Sequence, residues 1–567
     1  MTERARVEEI SRRPWVLLAL LAITLITAAT LRLSVLERAP AGLDADEGSN
    51  AWNAWCLLQT GRDEHGKPWP IVESVGFGQG MTTLYLYVLL PFYRVLGLSI
   101  WSTRLPAAIA GVLTVVLLYF IGSRLFDRSV GVAAAALLAI SPWHLQQSRW
   151  GHPATMFPLA VEVLFASMLW AGFPLTSRME GRPFRAAIGG FATGIFLYGY
   201  QGIRLWMPLF LLTLIVATWP AWRRFVTTRR GFAAVLSFAT TAAITVAPLL
   251  IETLRDPLLR RRAVLNWVWN ASDSLPMRAG KVLARYLPHY DLDFLFRKGD
   301  GYPCLWPPPG WGLFLWFTLP LMIIGAGWVI VHRRVVEARV VGAAIVSYPF
   351  ADLLNEHYGP HSLRSLPGVI ALTLLAAIGL VALYRYCARM PRVVGVTIAA
   401  LVSMLAVSES VKFTRDYFGT LDQSSVRFNC YAADLVDVCL RFKTRMDQYD
   451  AIFVTGNSIS NPYVYTLVLR QYPPQRWFAD PKIFRHGRLP NGWFRNEEVC
   501  LRYGKFHFFF PGASDGELER LSGNPTPERV LLVLRPGELS TMSLPPPIYR
   551  VHDSTGREAL WVIETKL

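Results

Sequence analysis

The chain has 567 residues, is 53% hydrophobic and only 17% charged, and carries 20 Trp, 21 Tyr and 31 Phe. A soluble protein gives about a quarter of its residues to charge, so much of this surface does not meet water. The formal charge of +17 does not point to nucleic acid, because the basic residues recur as short clusters between apolar runs, the pattern that orients a membrane protein.

In chain order the apolar runs predict spans near 14–34, 104–121, 129–145, 154–172, 187–200, 205–220, 231–251, 310–331, 340–351, 367–385 and 393–411. The first is close to the ~20 residues a helix needs to cross. No small-residue cleavage site follows it, so it is expected to be retained. Alternating the connections gathers Arg4, Arg6, Arg12 and Arg13, then Arg124 and Arg128, then Arg178, Arg182 and Arg185 on one side. Arg223, Arg224, Arg229 and Arg230, then Arg333, Arg334 and Arg339, and finally Arg385, Arg389 and Arg392 fall on the same side. Short basic connections on one side are the positive-inside signature. Residues 81–97 (MTTLYLYVLLPFYRVLG) break this count if they cross, so they are expected at the interface, with their tyrosines and Arg94 at headgroup level.

The expectation is a mostly α, polytopic helical membrane protein with about eleven transmembrane helices and twelve as the alternative. Residues 1–411 form its membrane domain, with outer loops 35–103 and 252–309, and residues 412–567 form a soluble extracytoplasmic α/β domain. In that last segment YDAIFVTG (449–456) and RVLLVLRP (529–536) read as buried strands. LVDVCLRFKTRM (435–446) reads as a helix, and a hairpin is expected around Ser554-Thr555-Gly556. The inner (plasma) membrane is the expected location, with a cytoplasmic N-terminus.

Four polar clusters stand on the outer side. GLDADEGSNAWNAW places Asp44, Asp46 and Glu47 just after the first span. Three carboxylates there suit a general base, a metal or polar recognition, but they equally suit capping of the following helix. SPWHLQQSRWGHP places His144, Arg149 and His152 at the outer end of the third span. A cation there suits a membrane-delivered phosphate, or else an interface arginine in an aromatic belt with Trp143 and Trp150. NEHYGPHSLRSLPGVIAL carries Asn355, Glu356, His357, His361 and Arg364 before a long apolar helix. YLPHYDLDFLFRKGDG carries Asp291, Asp293, Arg297, Lys298 and Asp300, expected to be solvated. The six cysteines show no CxxC or zinc spacing. No Walker loop, GxGxxG, HExxH or GxSxG is present, so a membrane-borne substrate is expected rather than a nucleotide.

These residues resemble the lipid-carrier-dependent glycosyltransferases of family 39, of GT-C fold, which include protein O-mannosyltransferases and bacterial aminoarabinose transferases. DADEGSNAWNAWCLLQTGRDEHGKPWP is similar to their first-loop pattern. STRLPAAIAGVLTVVLLYFIGSRLF and LLAISPWHLQQSRWGHPATMFPL are similar to their next helices and the Ser-Arg loop. DFLFRKGD, PHSLRSLPGVIAL and YDAIFVTGNSISNPYVYTLVLRQYPPQRWF resemble later segments, so the likeness runs from about residue 40 to about 480.

The resemblance implies inverting transfer of a sugar from a polyprenyl-phosphate donor to a hydroxyl of a protein, lipid or glycan acceptor on the extracytoplasmic face. Asp46 would be the base, with Glu47 or Asp44 orienting the acceptor or assisting. Arg149, with Arg364 and His361, would neutralise the leaving phosphate, and His144 and His152 would complete the substrate-binding set. No cofactor is required; a divalent metal at the acidic loop is allowed by this scheme. The rival reading is a lipid or polysaccharide transporter or flippase without transferase activity, which wants charges along helix interiors and repeated halves.

Overall fold

The computed structural model describes residues 14–77, 79–256, 268–270, 272–300, 308, 310–354, 359–420, 430–487, 497–510, 528–539, 543–553 and 555–566. Arg4, Arg6, Arg12, Arg13, Asn355, Glu356, His357 and Ser554 lie outside the described residues. The chain divides into two compact units: residues 1–34 with 107–417, and residues 35–106 with 418–567.

The first unit is helical. Each expected span contains a helix, and among the described residues six helices are long and apolar enough to cross a membrane: Trp15–Leu33, Ile100–Leu125, Pro153–Trp170, Arg229–Arg255, Pro367–Cys387 and Arg392–Gly419. Gln201–Ala217 with Trp219–Val226, bent by 90°, makes a seventh if the pair is one span. The remaining helices are shorter, among them Arg128–Ala139, Pro183–Phe196, Thr318–Val331 and Val336–Ser347. The run expected at 129–145 ends early because Ser141 caps a new helix, its hydroxyl accepting from the His144 amide, and Pro142 occupies the first position of that helix. Ile23, Ile26, Leu236, Ile244, Val396 and Val407 stay more than half exposed. Outward rows of aliphatic side chains on long helices are the surface of a membrane protein.

Glycine sets one close crossing in this unit. A Cβ at Gly379 would lie 1.9 Å from the Leu321 carbonyl, and one at Gly325 would lie 2.1 Å from that of Leu375. The helices Thr318–Val331 and Pro367–Cys387 therefore touch backbone to backbone, as small residues permit in membranes.

The second unit holds a two-stranded sheet, β1 (Glu73–Gly76) with β2 (Gln79–Thr82), and a seven-stranded one made of β3 (Ala451–Thr455), β4 (Lys482–Gly487), β5 (Glu497–Tyr503), β6 (Phe506–Phe509), β7 (Val530–Leu534), β8 (Tyr549–His552) and β9 (Glu558–Thr565), in the order β4-β5-β6-β3-β7-β9-β8. β3 and β7 are the expected strands; each is buried along its length, and they pair in parallel at the sheet centre. β8 and β9 form the expected hairpin. The expected helix runs Ala433–Arg441.

The expected boundary at 411/412 keeps loop 35–103 with the membrane helices, whereas the structure groups residues 35–106 with 418–567. The reason is apolar: the helix Ala45–Thr60 buries Ala51, Trp52, Ala54 and Leu57. Trp52 meets the edge of Trp477 at 5.8 Å between ring centroids. The helix Leu84–Leu96 has 13 residues, about 20 Å, too short for a hydrocarbon core of ~30 Å. Two of its three tyrosines, Tyr85 and Tyr93, are buried and bond to Thr103 at 2.7 and 2.8 Å. Buried hydroxyls need partners, and Thr103 supplies both.

Candidate functional site

In the second unit the three carboxylates of the first loop have different environments. Asp44 is the N-cap of Ala45–Thr60, its side chain accepting from the Asp46 amide at 2.9 Å. Glu47 closes a capping box by accepting from the Asp44 amide at 3.1 Å. Glu47 is also fully buried and receives Arg104 Nε at 2.8 Å and Nη2 at 2.7 Å. The capping alternative therefore describes Asp44 and Glu47. Asp46, in the first turn between them, is exposed.

Arg104 was expected only as the start of a span. An arginine heading an apolar run is costly unless paired, which signals the need for a partner, but nothing local in the sequence names Glu47. No group of three or more His, Cys, Asp or Glu suited to a metal occurs among the described residues. Asp44 Oδ1 and both carboxyl oxygens of Glu47 accept from N–H donors.

In the first unit the expected cations fall into two sets. Arg149 is buried, and its Nη1 donates to the carbonyls of Leu31 and Arg32 at 2.7 and 3.1 Å, in the last turn of Pro14–Leu33. Cations are favoured at the negative end of a helix. Its ring contact is Tyr417, 6.0 Å to the centroid. The aromatic-belt alternative is not what is observed, since Arg149, Trp143 and Trp150 are all buried.

Arg32 repeats the device, donating to Leu138 and Ala139 carbonyls at 3.1 and 2.9 Å and to His144 Nδ1 at 2.8 Å. A guanidinium only donates, so His144 Nδ1 holds a lone pair and its proton is on Nε2. His152 Nδ1 likewise accepts, from the Ala154 amide at 3.0 Å, and its ring stacks on Trp150 at 4.1 Å.

The second set hangs on two buried carboxylates that the sequence left as solvated or unremarked. Asp352 accepts from Arg364 Nη1 at 3.2 Å and from the His361 amide at 3.0 Å, and lies 3.2 Å from His289 Nε2. Burial alone would raise the Asp352 carboxyl; His289 and Arg364 outweigh it and hold the group below its ordinary value. Asp300, expected in solvent, is buried; it accepts from the Ser362 amide at 2.6 Å and lies 3.4 Å from His361 Nδ1. Burial, joined by Arg364 and opposed by Asp300, keeps His361 below its ordinary value. Arg364 retains 21% side-chain exposure against 0% for Asp352. It is a partly open guanidinium paired with a buried carboxylate, a donor set suited to an oxyanion. Asp293, by contrast, is exposed with Arg297 and Lys298 at 3.1 and 2.6 Å, as expected.

Residues 81–178 match the family described as dolichyl-phosphate-mannose-protein mannosyltransferase. That range covers STRLPAAIAG and SPWHLQQSRWGHP, but not the Asp44–Glu47 segment. The fold is similar to that of ArnT from Cupriavidus metallidurans in the apo state, at TM-score 0.53 and 13% identity over 97% of this chain and 98% of that chain. ArnT bound to undecaprenyl phosphate matches at TM-score 0.54, with the same identity and coverage. Among curated proteins none matches the sequence. The chain thus has the GT-C fold, and the comparisons support the resemblance to the family 39 transferases.

Proposed function

We propose that this protein is an inverting, lipid-carrier-dependent glycosyltransferase acting on the extracytoplasmic face of the plasma membrane. The observation that carries the reading is the position of Asp46. It stands exposed in the first turn of a helix whose cap is Asp44 and whose anchor is the Glu47–Arg104 ion pair. A carboxylate held on a rigid, capped turn and open to solvent is what a general base requires.

In the proposed reaction the acceptor oxygen forms a bond to C1 of the sugar as the bond from C1 to the phosphate oxygen breaks. Asp46 takes the hydroxyl proton, and the electron pair of the broken bond leaves with the polyprenyl phosphate. Arg364, partly open and braced by Asp352, neutralises that phosphate; such stabilisation in a site shielded from water is worth roughly 3 kcal/mol per group. Arg149 and His144 are given a supporting part, because Arg149 Nη1 and His144 Nδ1 engage the ends of the first unit's helices and Arg32. A polyprenyl phosphate carrier is favoured by the fold shared with ArnT, described as bound to undecaprenyl phosphate. The arginine-rich connections favour a cytoplasmic N-terminus. The acceptor is a hydroxyl of a protein, lipid or glycan, and no step passes through a metal.

The test is Asp46→Asn in cells, with mass spectrometry of polyprenyl-phosphate sugars. The variant is expected to accumulate the same lipid-linked sugar as a strain without the gene, while its thermal unfolding in detergent stays that of wild type. A folded Asp46→Asn protein with full turnover removes Asp46 as the base.

A further inference from the structure

Four helix ends of the first unit meet around a cavity of about 500 Å³ lined by Asp127, Trp328, His332, Arg385 and Arg389. Asp127 follows Ile100–Leu125 and caps Arg128–Ala139; His332 ends Thr318–Val331; Arg385 lies in the last turn of Pro367–Cys387. All belong to the arginine-rich connections that the charge pattern collects on one side. None takes part in the proposed transfer.

The charges of this cavity are unequal. Asp127 is fully used: Oδ1 accepts from the Ser129 and Val130 amides at 2.9 and 3.2 Å, and Oδ2 accepts from Arg385. Arg389 lines the same space, and its guanidinium has no hydrogen-bond or ion-pair partner among the described residues. Two arginines against one aspartate leave one positive charge.

The rest of the wall is apolar. His332 Nδ1 donates to the Trp328 carbonyl at 2.8 Å, and the two rings stack at 4.2 Å. Ile378 and Val381, two turns and one turn before Arg385 on the same helix, also line the cavity. The opening thus pairs an unneutralised guanidinium with an aliphatic wall along a membrane helix. That combination matches a phosphodiester at headgroup depth with an acyl chain beside it.

We propose that this cavity binds the headgroup of an anionic membrane phospholipid, with Arg389 on the phosphate. A zwitterionic lipid brings its own ammonium and gains less from the excess charge. One guanidinium at a membrane surface corresponds to a preference of about fivefold.

The test uses full-length protein purified in mild detergent and read by native mass spectrometry after exchange with phosphatidylglycerol or phosphatidylcholine vesicles. Wild type is expected to retain phosphatidylglycerol about fivefold more than phosphatidylcholine, and Arg389→Gln to lose that preference with unchanged thermal unfolding. A parallel arm adds millimolar inorganic phosphate or glycerol phosphate, which is expected to leave lipid retention unchanged. Equal retention of the two lipids, an undiminished preference in Arg389→Gln, or displacement by the soluble phosphates each overturns the assignment.

Discussion

Arg104 spends all five of its N–H donors on Glu47 of the acidic helix and on the loop that precedes that helix. Nε and one Nη2 hydrogen go to Glu47; Nη1 goes to the carbonyls of Leu36 and Pro40 at 2.9 and 2.7 Å, and the other Nη2 hydrogen to Gly42 at 2.9 Å. Both side chains of the pair are at 0% exposure. Removing one partner strands the other as a buried charge, at a cost of about 3–5 kcal/mol. Arg104→Ala and Glu47→Ala are therefore expected to lose thermal stability and activity together, and Arg104→Lys to recover little, because a lysine has three donors without the planar fork. If Glu47→Gln instead kept wild-type unfolding and lost only turnover, Glu47 would be a catalytic group and not an anchor.

The helices were legible because ~20-residue apolar runs with arginine ends have few other structures open to them. The central strands were legible for a related reason, since AIFVT and VLLVL are buried on both faces. What the sequence hid is pairing across long separations. Nothing local marks Glu47 as the partner of Arg104, Asp352 as the brace of Arg364, or Arg32 as the end-cap of a helix more than 100 residues away. The break at Ser141-Pro142 was visible as a capping signal but lay inside an apolar run, where hydropathy outweighed it. Asp300 was misread because burial is a property of what folds over a loop, here Ser362 and His361.

Asp352 makes Arg364 and His361 testable as a unit. Asp352→Asn keeps the shape but removes the charge that faces Arg364 at 3.2 Å and His289 at 3.2 Å. Hydrogen bonds to charged groups are worth about 1.5–3 kcal/mol, so the KM for the lipid-linked donor is expected to rise by roughly 10–100-fold. Arg364→Gln should do the same with smaller loss of stability, because its side chain is partly open. Steady-state kinetics at varied donor and fixed acceptor separates the effects; a change in acceptor KM alone would move Arg364 off the donor phosphate.

His65 ties the first loop to the sheet within the second unit. Its Nε2 lies 2.8 Å from Glu498 Oε2 and its Nδ1 3.6 Å from Glu64 Oε1. Burial would lower His65, but the bond to Glu498 and the charge of Glu64 prevail and raise it from 6.5 to about 9. Burial raises Glu64 from 4.5 to about 7, opposed by His65. Both folded groups hold protons more tightly than the unfolded chain, so both favour folding most at low pH. The Glu64 share fades as pH rises from 4.5 to about 7, and the His65 share as it rises from 6.5 to about 9. Melting curves of wild type and His65→Gln should differ most at pH 6 and converge near pH 9. A gap independent of pH would mean the strap is held by shape and not by charge.

Glu162 lies in Met156–Trp170, is fully buried, and neither carboxyl oxygen has a hydrogen-bond partner among the described residues. A polar group buried without a partner costs about 1–3 kcal/mol by mutational measures, and the flanking Val161, Leu164 and Phe165 offer it only apolar neighbours along the helix. Glu162→Met, similar in volume and apolar, is expected to stabilise the protein by about 1–3 kcal/mol. The variant should therefore melt at higher temperature than wild type, while Glu162→Gln, still polar, should gain little. Sugar transfer decides between two meanings of the residue. A stabilised Glu162→Met protein with wild-type turnover marks a tolerated defect of packing, whereas a stabilised but inactive one places Glu162 in the working of the membrane helices, where a costly intramembrane acid is kept for use.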